Sequence, residues 1–409
     1  MWLKIKPLDV LLFRTSRPFG AGESFRAESI FPPTSIPFIG AIRSRAICHL
    51  MDTEPDPNAP YWQYDVKIKN KLPYHIIDHI GTPDDLGPLS FEGPYLSMEN
   101  TICLTLPKDL MQSNKSLQFL SCLQPGEASW PVISSTPGSS ESNLDMVLEV
   151  SVPESEACES GYLIKDHLVD YLLNDLKHDV VFQETLCEPE HRLGIALNAN
   201  RFAQTGLIYN VMFNRLTENS FFLIKLTSQE NNADQLLPDQ GFLGLGGESR
   251  AAYFEKIQDT QIPASLTQSS QTHITEKLVQ AMIGKDVFKV YLISPALFDQ
   301  GWLPDYVDPI TYEWQILPDV TITLKAAAVG KFISISGWNL VKQMPRPMLR
   351  AVPSGSVYYF QSRTPFTEQV AREILEKIHF KSMMKKTPRI QSDFYRSAGF
   401  GLAAVGLWK

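Results

Sequence analysis

The chain has 409 residues, long enough for two or three domains that each bury an ordinary core, and its 44% hydrophobic and 20% charged residues are the balance of a soluble globular protein. No stretch approaches the roughly 20 apolar residues of a membrane span, and the opening run MWLKIKPLDVLLF is broken by Lys4, Lys6 and Asp9, so it is no signal peptide. The expectation is a cytoplasmic protein with no membrane attachment.

A formal charge of −8 argues against nucleic-acid binding only if charge is spread evenly, because binding follows the local field. It is not spread evenly. Residues 1–50 carry Lys4, Lys6, Arg14, Arg17, Arg26, Arg43 and Arg45 against Asp9, Glu23 and Glu28. Between Glu141 and Glu190 thirteen acids face only Lys165 and Lys177, and bases return in Lys381, Lys385, Lys386, Arg389 and Arg396. Two basic ends can share one anionic ligand while the acidic middle faces water or a basic partner.

Along the chain, residues 2–6 alternate Leu3 and Ile5 with Lys4 and Lys6, a half-buried strand. A helix follows, with Ser35 as a candidate N-cap, Pro37 in the first turn and Ile39, Ile42, Ala46 and Leu50 as its inner face. A strand leading into a helix opens a ferredoxin-like unit. Residues 51–190 read as a large, partly structured insertion with one helix candidate at 162–176. Segments 192–197 and 207–216 form a hairpin around a polar tip (Asn198, Asn200, Arg201), and 221–226 (FFLIKL) is a central strand. A short strand at 252–257 closes the first unit.

Residues 259–272 are rich in Ser, Thr and Gln and read as a linker, followed by a helix at 273–283. A second set follows: strands at 287–294, 321–326, 332–336 and 356–361, a helix at 367–378 with Glu368/Arg372 and Glu373/Lys377 pairs, and a last strand at 402–408. The fold class is α+β, in two similar units: residues 1–258 with the insertion, then a linker and helix at 259–284, then residues 285–409.

The searches for catalytic chemistry fail one by one. The five cysteines (Cys48, Cys103, Cys122, Cys158, Cys187) are scattered and form no CxxC pair, which argues against a disulfide framework and a zinc ribbon. His75 and His79 have the spacing of a metal pair, but they sit between Pro73 and Gly81 without the glutamate of HExxH, so a stable helix there is doubtful. Residues 399–404 (GFGLAA) have a dinucleotide-like pattern with no room for the helix it needs before Lys409. For Gly399 and Gly401, and for Gly246 and Gly247 in GLGGESR (244–250), two readings stay open: a tight turn in a crowded sheet, or backbone N–H groups exposed to a phosphate. Lone His49 and His191 are candidates for acid–base work only if RNA is cut. No cofactor or metal is expected.

Several stretches taken together carry a resemblance. They are WLKIKPLDVLLFRTSRPFGAGE, IFPPTSIPFIGAIRSRAI, RLGIALNANRFAQTGLIYNVMFNRL, LGLGGESRAAYFE, SISGWNL, PRPMLRAVPSGSVYYF and GFGLAAVGLWK. In this order the sequence resembles the RAMP subunit of type III-B (Cmr) CRISPR effector complexes that caps the 5′ handle of the guide RNA. The match covers the chain outside about 51–190.

The resemblance implies two ferredoxin-like (RRM-like) domains. It also implies three partners: the crRNA 5′ handle, the large polymerase/cyclase-like subunit and the repeated backbone RAMP subunit. Catalysis would belong to those neighbours, so no catalytic residue transfers. RNA contacts are expected from Arg14, Arg17, Arg26, Arg43, Arg45, Arg192, Asn198, Arg201, Gly246, Gly247, Arg250, Lys385, Arg389, Arg396, Gly399 and Gly401. Residues 381–396 interleave bases with Phe394 and Tyr395, a composition that joins phosphate attraction to base stacking. Two other readings compete: a metal-independent endoribonuclease that processes repeat RNA, and an architectural subunit whose acidic insertion docks a basic neighbour.

Overall fold

A computed structural model of the chain describes residues 1–14, 26–50, 74–113, 119–122, 124–127, 144, 146–149, 155–157, 161–175, 181–197, 202–339, 342–387 and 392–408. The alternation at the N-terminus becomes strand β1 (Trp2–Pro7), with Leu3 and Ile5 buried and Lys6 exposed. Strand β2 (Arg26–Ala27) precedes helix α1 (Ser35–Leu50), in which Ser35 is the first helical residue and Phe38, Ile39, Ile42 and Ala46 form the buried stripe. Phe38 has no exposed surface and meets Phe222 edge-on at 5.0 Å, fixing α1 to the sheet beneath it.

Residues 74–80 form helix α2 (Tyr74–Ile80), against the expectation of a loop at the histidine pair. Its Ile76 and Ile80 are buried, and that tertiary anchor outweighs the flanking Pro73 and Gly81. Strands β3 (Leu89–Met98) and β4 (Thr101–Thr105) follow. Five short strands pair only with one another among the described residues: β5 (Leu110–Ser113), β6 (Phe119–Cys122), β7 (Gln124–Glu127), β8 (Met146–Glu149) and β9 (Ser155–Ala157).

The segment expected as one helix at 162–176 is instead strand β10 (Gly161–Ile164), a 3-10 turn and the short helix α3 (Leu168–Leu172). Tyr162 and Leu163 are buried as sheet residues, so edge pairing to β4 wins over helical spacing. After β11 (Val181–Phe182) and α4 (Gln183–Leu186) comes the long hairpin of β12 (Cys187–Leu197) and β13 (Ala203–Leu216). Then follow β14 (Ser220–Ser228), β15 (Gln240–Leu245) and β16 (Arg250–Ile257).

The first sheet is antiparallel throughout, in the order β11-β10-β4-β3-β14-β1-β16-β15. Its central β14 buries Phe222, Leu223, Ile224 and Leu226, as its apolar run, interrupted only by Lys225, leads one to expect. Strands β3, β4, β10 and β11 all come from residues 51–190, so much of the expected insertion is integral to this sheet. Low hydrophobic periodicity concealed them because β4, β10 and β11 are short and β3 is interrupted by Gly93-Pro94.

The second sheet begins after helix α5 (Gln268–Met282), capped by the Thr267 hydroxyl, which accepts from the Ser270 N–H at 3.4 Å. The helix thus starts inside the expected linker. Strands β17 (Val287–Leu292), β18 (Glu313–Leu317) and β19 (Val320–Ala328) come next. A ribbon of β20 (Ile333–Ile335), β21 (Trp338–Asn339), β22 (Met344–Pro345) and β23 (Leu349–Ala351) leads to β24 (Val357–Ser362). The chain then forms α6 (Glu368–Ile378), β25 (Lys381–Ser382), α7 (Ser392–Ser397) and β26 (Leu402–Gly406). The sheet order is β18-β19-β24-β17-β26-β25, antiparallel throughout. Arg372 pairs with Glu368 as expected and with Glu276 of α5, whereas Lys377 donates to the Ile316 carbonyl.

The two sheets share one continuous apolar core. At their junction Asp109 is fully buried and receives Lys289 Nζ at 3.1 Å, the Tyr171 hydroxyl at 2.8 Å and the Tyr359 hydroxyl at 2.8 Å. Tyr291 donates to the Thr105 carbonyl at 2.6 Å, and Leu407 N–H to the Leu172 carbonyl at 2.6 Å. Hydrogen bonds thus cross between the two units at Asp109, Tyr291 and Leu407, so the units are locked rather than tethered.

Candidate nucleic-acid interface

The β12–β13 hairpin carries Arg192 and Arg215, two of the basic residues near the candidate interface. Its strands run from Cys187↔Leu216 outward, and β2 adds a parallel pairing at Asn210 and Val211. Towards the tip the structure leaves large apolar side chains in solvent: Leu193 is 78% exposed and Phe202 69%. At the base, Arg192, Arg215 and Arg250 converge on Asp9, with the Phe213 ring 5.4 Å from the Arg192 guanidinium and 4.9 Å from that of Arg250.

Asp9 Oδ1 accepts from Arg192 at 3.2 Å and from Arg215 at 2.9 Å. Glu190 takes the Nε of both, at 2.7 Å from Arg192 and 2.5 Å from Arg215, while Glu248 takes Arg250 at 2.6 Å. Three cations therefore face three carboxylates. The Arg192 hydrogen bonds, followed by those of Val10 N–H and Arg215, hold the Asp9 carboxyl down at about 2 despite partial desolvation. Glu190 is lowered by the same two arginines. The cluster ties the hairpin base to Asp9 in a charge-balanced network, and its arginines are shared with acids rather than poised as bare phosphate ligands.

The other expected contacts divide by place. Arg14 is exposed, and its backbone pairs antiparallel with that of Ser29. Arg43 Nη2 donates to the Thr82 carbonyl at 2.6 Å, tying α1 to the segment after α2. Arg45 lies over Gly241, where a Cβ would come 3.7 Å from its Nε. Lys385 is exposed, with its Nζ 5.0 Å from the Tyr306 ring centroid. Arg396 is half-buried in α7. Arg26 lies in β2. Arg17, Asn198, Arg201 and Arg389 lie outside the described residues.

The glycine readings resolve towards packing. Gly246 has φ +72°, and a Cβ there would lie 2.6 Å from the Leu12 carbonyl oxygen. Gly247 N–H donates to that same carbonyl at 2.7 Å. Gly399 (φ +84°) abuts the Phe91 carbonyl and donates to Arg396, and Gly401 donates to the Pro295 carbonyl at 2.7 Å. The amides of Gly247, Gly399 and Gly401 are thus consumed by the chain itself, so a phosphate nest at these three positions is corrected to close chain packing.

Histidine chemistry is dispersed. His49 ends α1 and His191 lies on β12, both exposed, and His79 Nδ1 sits 2.8 Å from Glu230 Oε2. Among the described residues no group of three or more His, Cys, Asp or Glu is arranged to hold a metal. No described helix is long and apolar enough to cross a membrane.

Sequence reasoning missed Arg215, Lys225 and Lys165 as members of basic clusters. Arg215 was visible inside the hairpin strand. Lys165 was visible only as a lone base in an acidic stretch, and nothing local marks its burial.

A mixed α/β chain with extensive antiparallel sheets fits the RAMP class of CRISPR-associated subunits. Residues 3–408 match the sequence model of the CRISPR-associated protein family Cas_Cmr3, and the chain belongs to that family as a Cmr3-type RAMP subunit of the type III-B machinery. The fold is shared with a chain in the cryo-EM structure of the Type III-B Cmr-beta bound to cognate target RNA. That match has a TM-score of 0.50 and 14% identity over 98% of this chain and 96% of the other. A chain of the same assembly bound to cognate target RNA and AMPPnP, state 1, matches with a TM-score of 0.49 and 14% identity over 99% and 98%. No curated protein matches the chain.

Proposed function

We propose that this chain is a non-catalytic RNA-holding subunit that caps the 5′ handle of the guide. In that role it bridges the large polymerase/cyclase-like subunit and the repeated backbone subunits, and each sheet with its helices acts as a ferredoxin-like unit. The observation that carries the reading is the β12–β13 hairpin. Its outer part exposes Leu193 and Ile195, and its base is pinned by three arginines to Asp9 and Glu190. Exposed apolar side chains on a braced ribbon need a partner, and splayed bases with adjacent phosphates supply one of matching chemistry.

The Cmr-beta assembly whose chain shares the fold is described as bound to cognate target RNA, which fits an RNA-holding subunit. The test is salt-dependent binding of a repeat-derived RNA to the full chain and to Arg14→Gln/Arg45→Gln/Lys385→Gln. Binding should weaken and the salt slope should become shallower by about 0.7 per lost phosphate contact. Wild-type affinity and slope would remove these residues from the interface, and specific cleavage of the RNA would overturn the non-catalytic reading.

A further inference from the structure

Four cations distant in sequence meet where the two sheets face each other. Lys225 of β14, Lys381 of β25 (whose Nζ also donates to the Glu376 carbonyl) and Arg396 of α7 line one groove of about 200 Å³, room for roughly six waters at about 30 Å³ each. The Ser90 and Thr227 hydroxyls, 2.6 Å apart, stand on one wall and the half-exposed Phe380 ring on another. Glu92 is the one carboxylate among the lining residues, and its charge is already shared. Its Oε1 accepts from the Tyr95 hydroxyl at 2.6 Å, and its Oε2 is 3.8 Å from Lys225 Nζ.

Beside this wall, Lys165 is only 2% exposed, with Nζ 5.4 Å from the Phe380 ring centroid and 5.3 Å from that of Tyr95. Burial lowers its pKa to about 8, against the opposing pull of Glu92 and Asp166. A lysine held this way costs folding free energy, and it adds positive field to a groove that already has three cations.

We propose that this groove binds a phosphate ester, with the phosphate oxygens on Lys225, Lys381 and Arg396 and the attached sugar or base against Phe380. The volume admits one phosphate and part of its nucleoside, not a folded acidic surface. The proposal rests on the RNA-holding reading and adds to it a second contact region at the seam of the sheets, apart from the hairpin. The shared chemistry is a nucleotide phosphate, supplied either by the guide backbone or by a free mononucleotide.

The full chain and its Lys225→Gln/Lys381→Gln/Arg396→Gln variant are titrated with a repeat-derived single-stranded RNA and separately with AMP, across a salt series. The variant should melt like the wild type, bind RNA at least tenfold more weakly and show a salt slope shallower by about 2. Lys165→Met removes buried charge without altering the wall. It should weaken the bound ligand about threefold, with the melting temperature unchanged or raised. Loss of AMP binding alone assigns the groove to a free nucleotide. If the wild type binds AMP through these residues but no RNA, the groove stands and the RNA-holding reading falls. If RNA binding depends on Arg14, Arg45 and Lys385 but is unchanged in both groove variants, the RNA-holding reading stands and the groove proposal is overturned.

Discussion

At the scale of single residues, two buried polar groups carry sharp consequences. Asp109 and Lys289 are 0% and 1% exposed in side chain and 3.1 Å apart. Lys289→Met leaves the Asp109 carboxylate buried with only two tyrosine hydroxyls, and breaking such a pair costs about 3–5 kcal/mol. Chemical denaturation should show that loss, and a loss below about 1 kcal/mol would mean that the seam relaxes to admit water.

His379 is the second. Its Nδ1 accepts from Val405 N–H at 3.1 Å, and burial, reinforced by Lys165, lowers its pKa from 6.5 to about 3. The folded chain therefore holds this ring neutral while the unfolded chain protonates it below about 6.5. The resulting stability is complete above that pH and is lost as pH falls towards 3, at up to about 1.4 kcal/mol per pH unit. Denaturation midpoints between pH 7 and 5 should fall in the wild type and flatten in His379→Gln; equal slopes would contradict the assignment. Neither partner was legible in the sequence: Asp109 lies 180 positions from Lys289, and only the packing of two sheets brings them together.

At the scale of elements, legibility followed the strength of local pattern. The alternation at Leu3–Lys6, the apolar run at 221–226, the stripe of α6 and both strands of the hairpin all carry their own periodicity, and each forms where expected. Residues 161–172 carry an ambiguous pattern, which pairing to β4 settled as a strand followed by a short helix. The arginines of the hairpin base were legible as charges. Their neutralising acid was not, since Asp9 lies 183 residues from Arg192. The hairpin itself yields a prediction. Leu193→Ser/Ile195→Ser removes largely exposed apolar surface, so the melting temperature should stay within a few degrees while guide retention in the assembled complex drops about tenfold. A large loss of stability with intact guide retention would make these side chains structural.

At the scale of the whole molecule, a net charge of −8 coexists with basic regions because acids are either paired within clusters or carried elsewhere on the chain. The core runs continuously through both sheets, so the molecule presents its surfaces in fixed relation. The hairpin and the inter-sheet groove can then hold separate parts of one strand without paying to order a hinge. The most direct test is crosslinking of the assembled complex with a guide photo-labelled in its 5′ handle. Label should appear in peptides from residues 14–45, 192–215 and 381–401 of this chain. Label confined to the neighbouring subunits would contradict the claim that this subunit holds the handle.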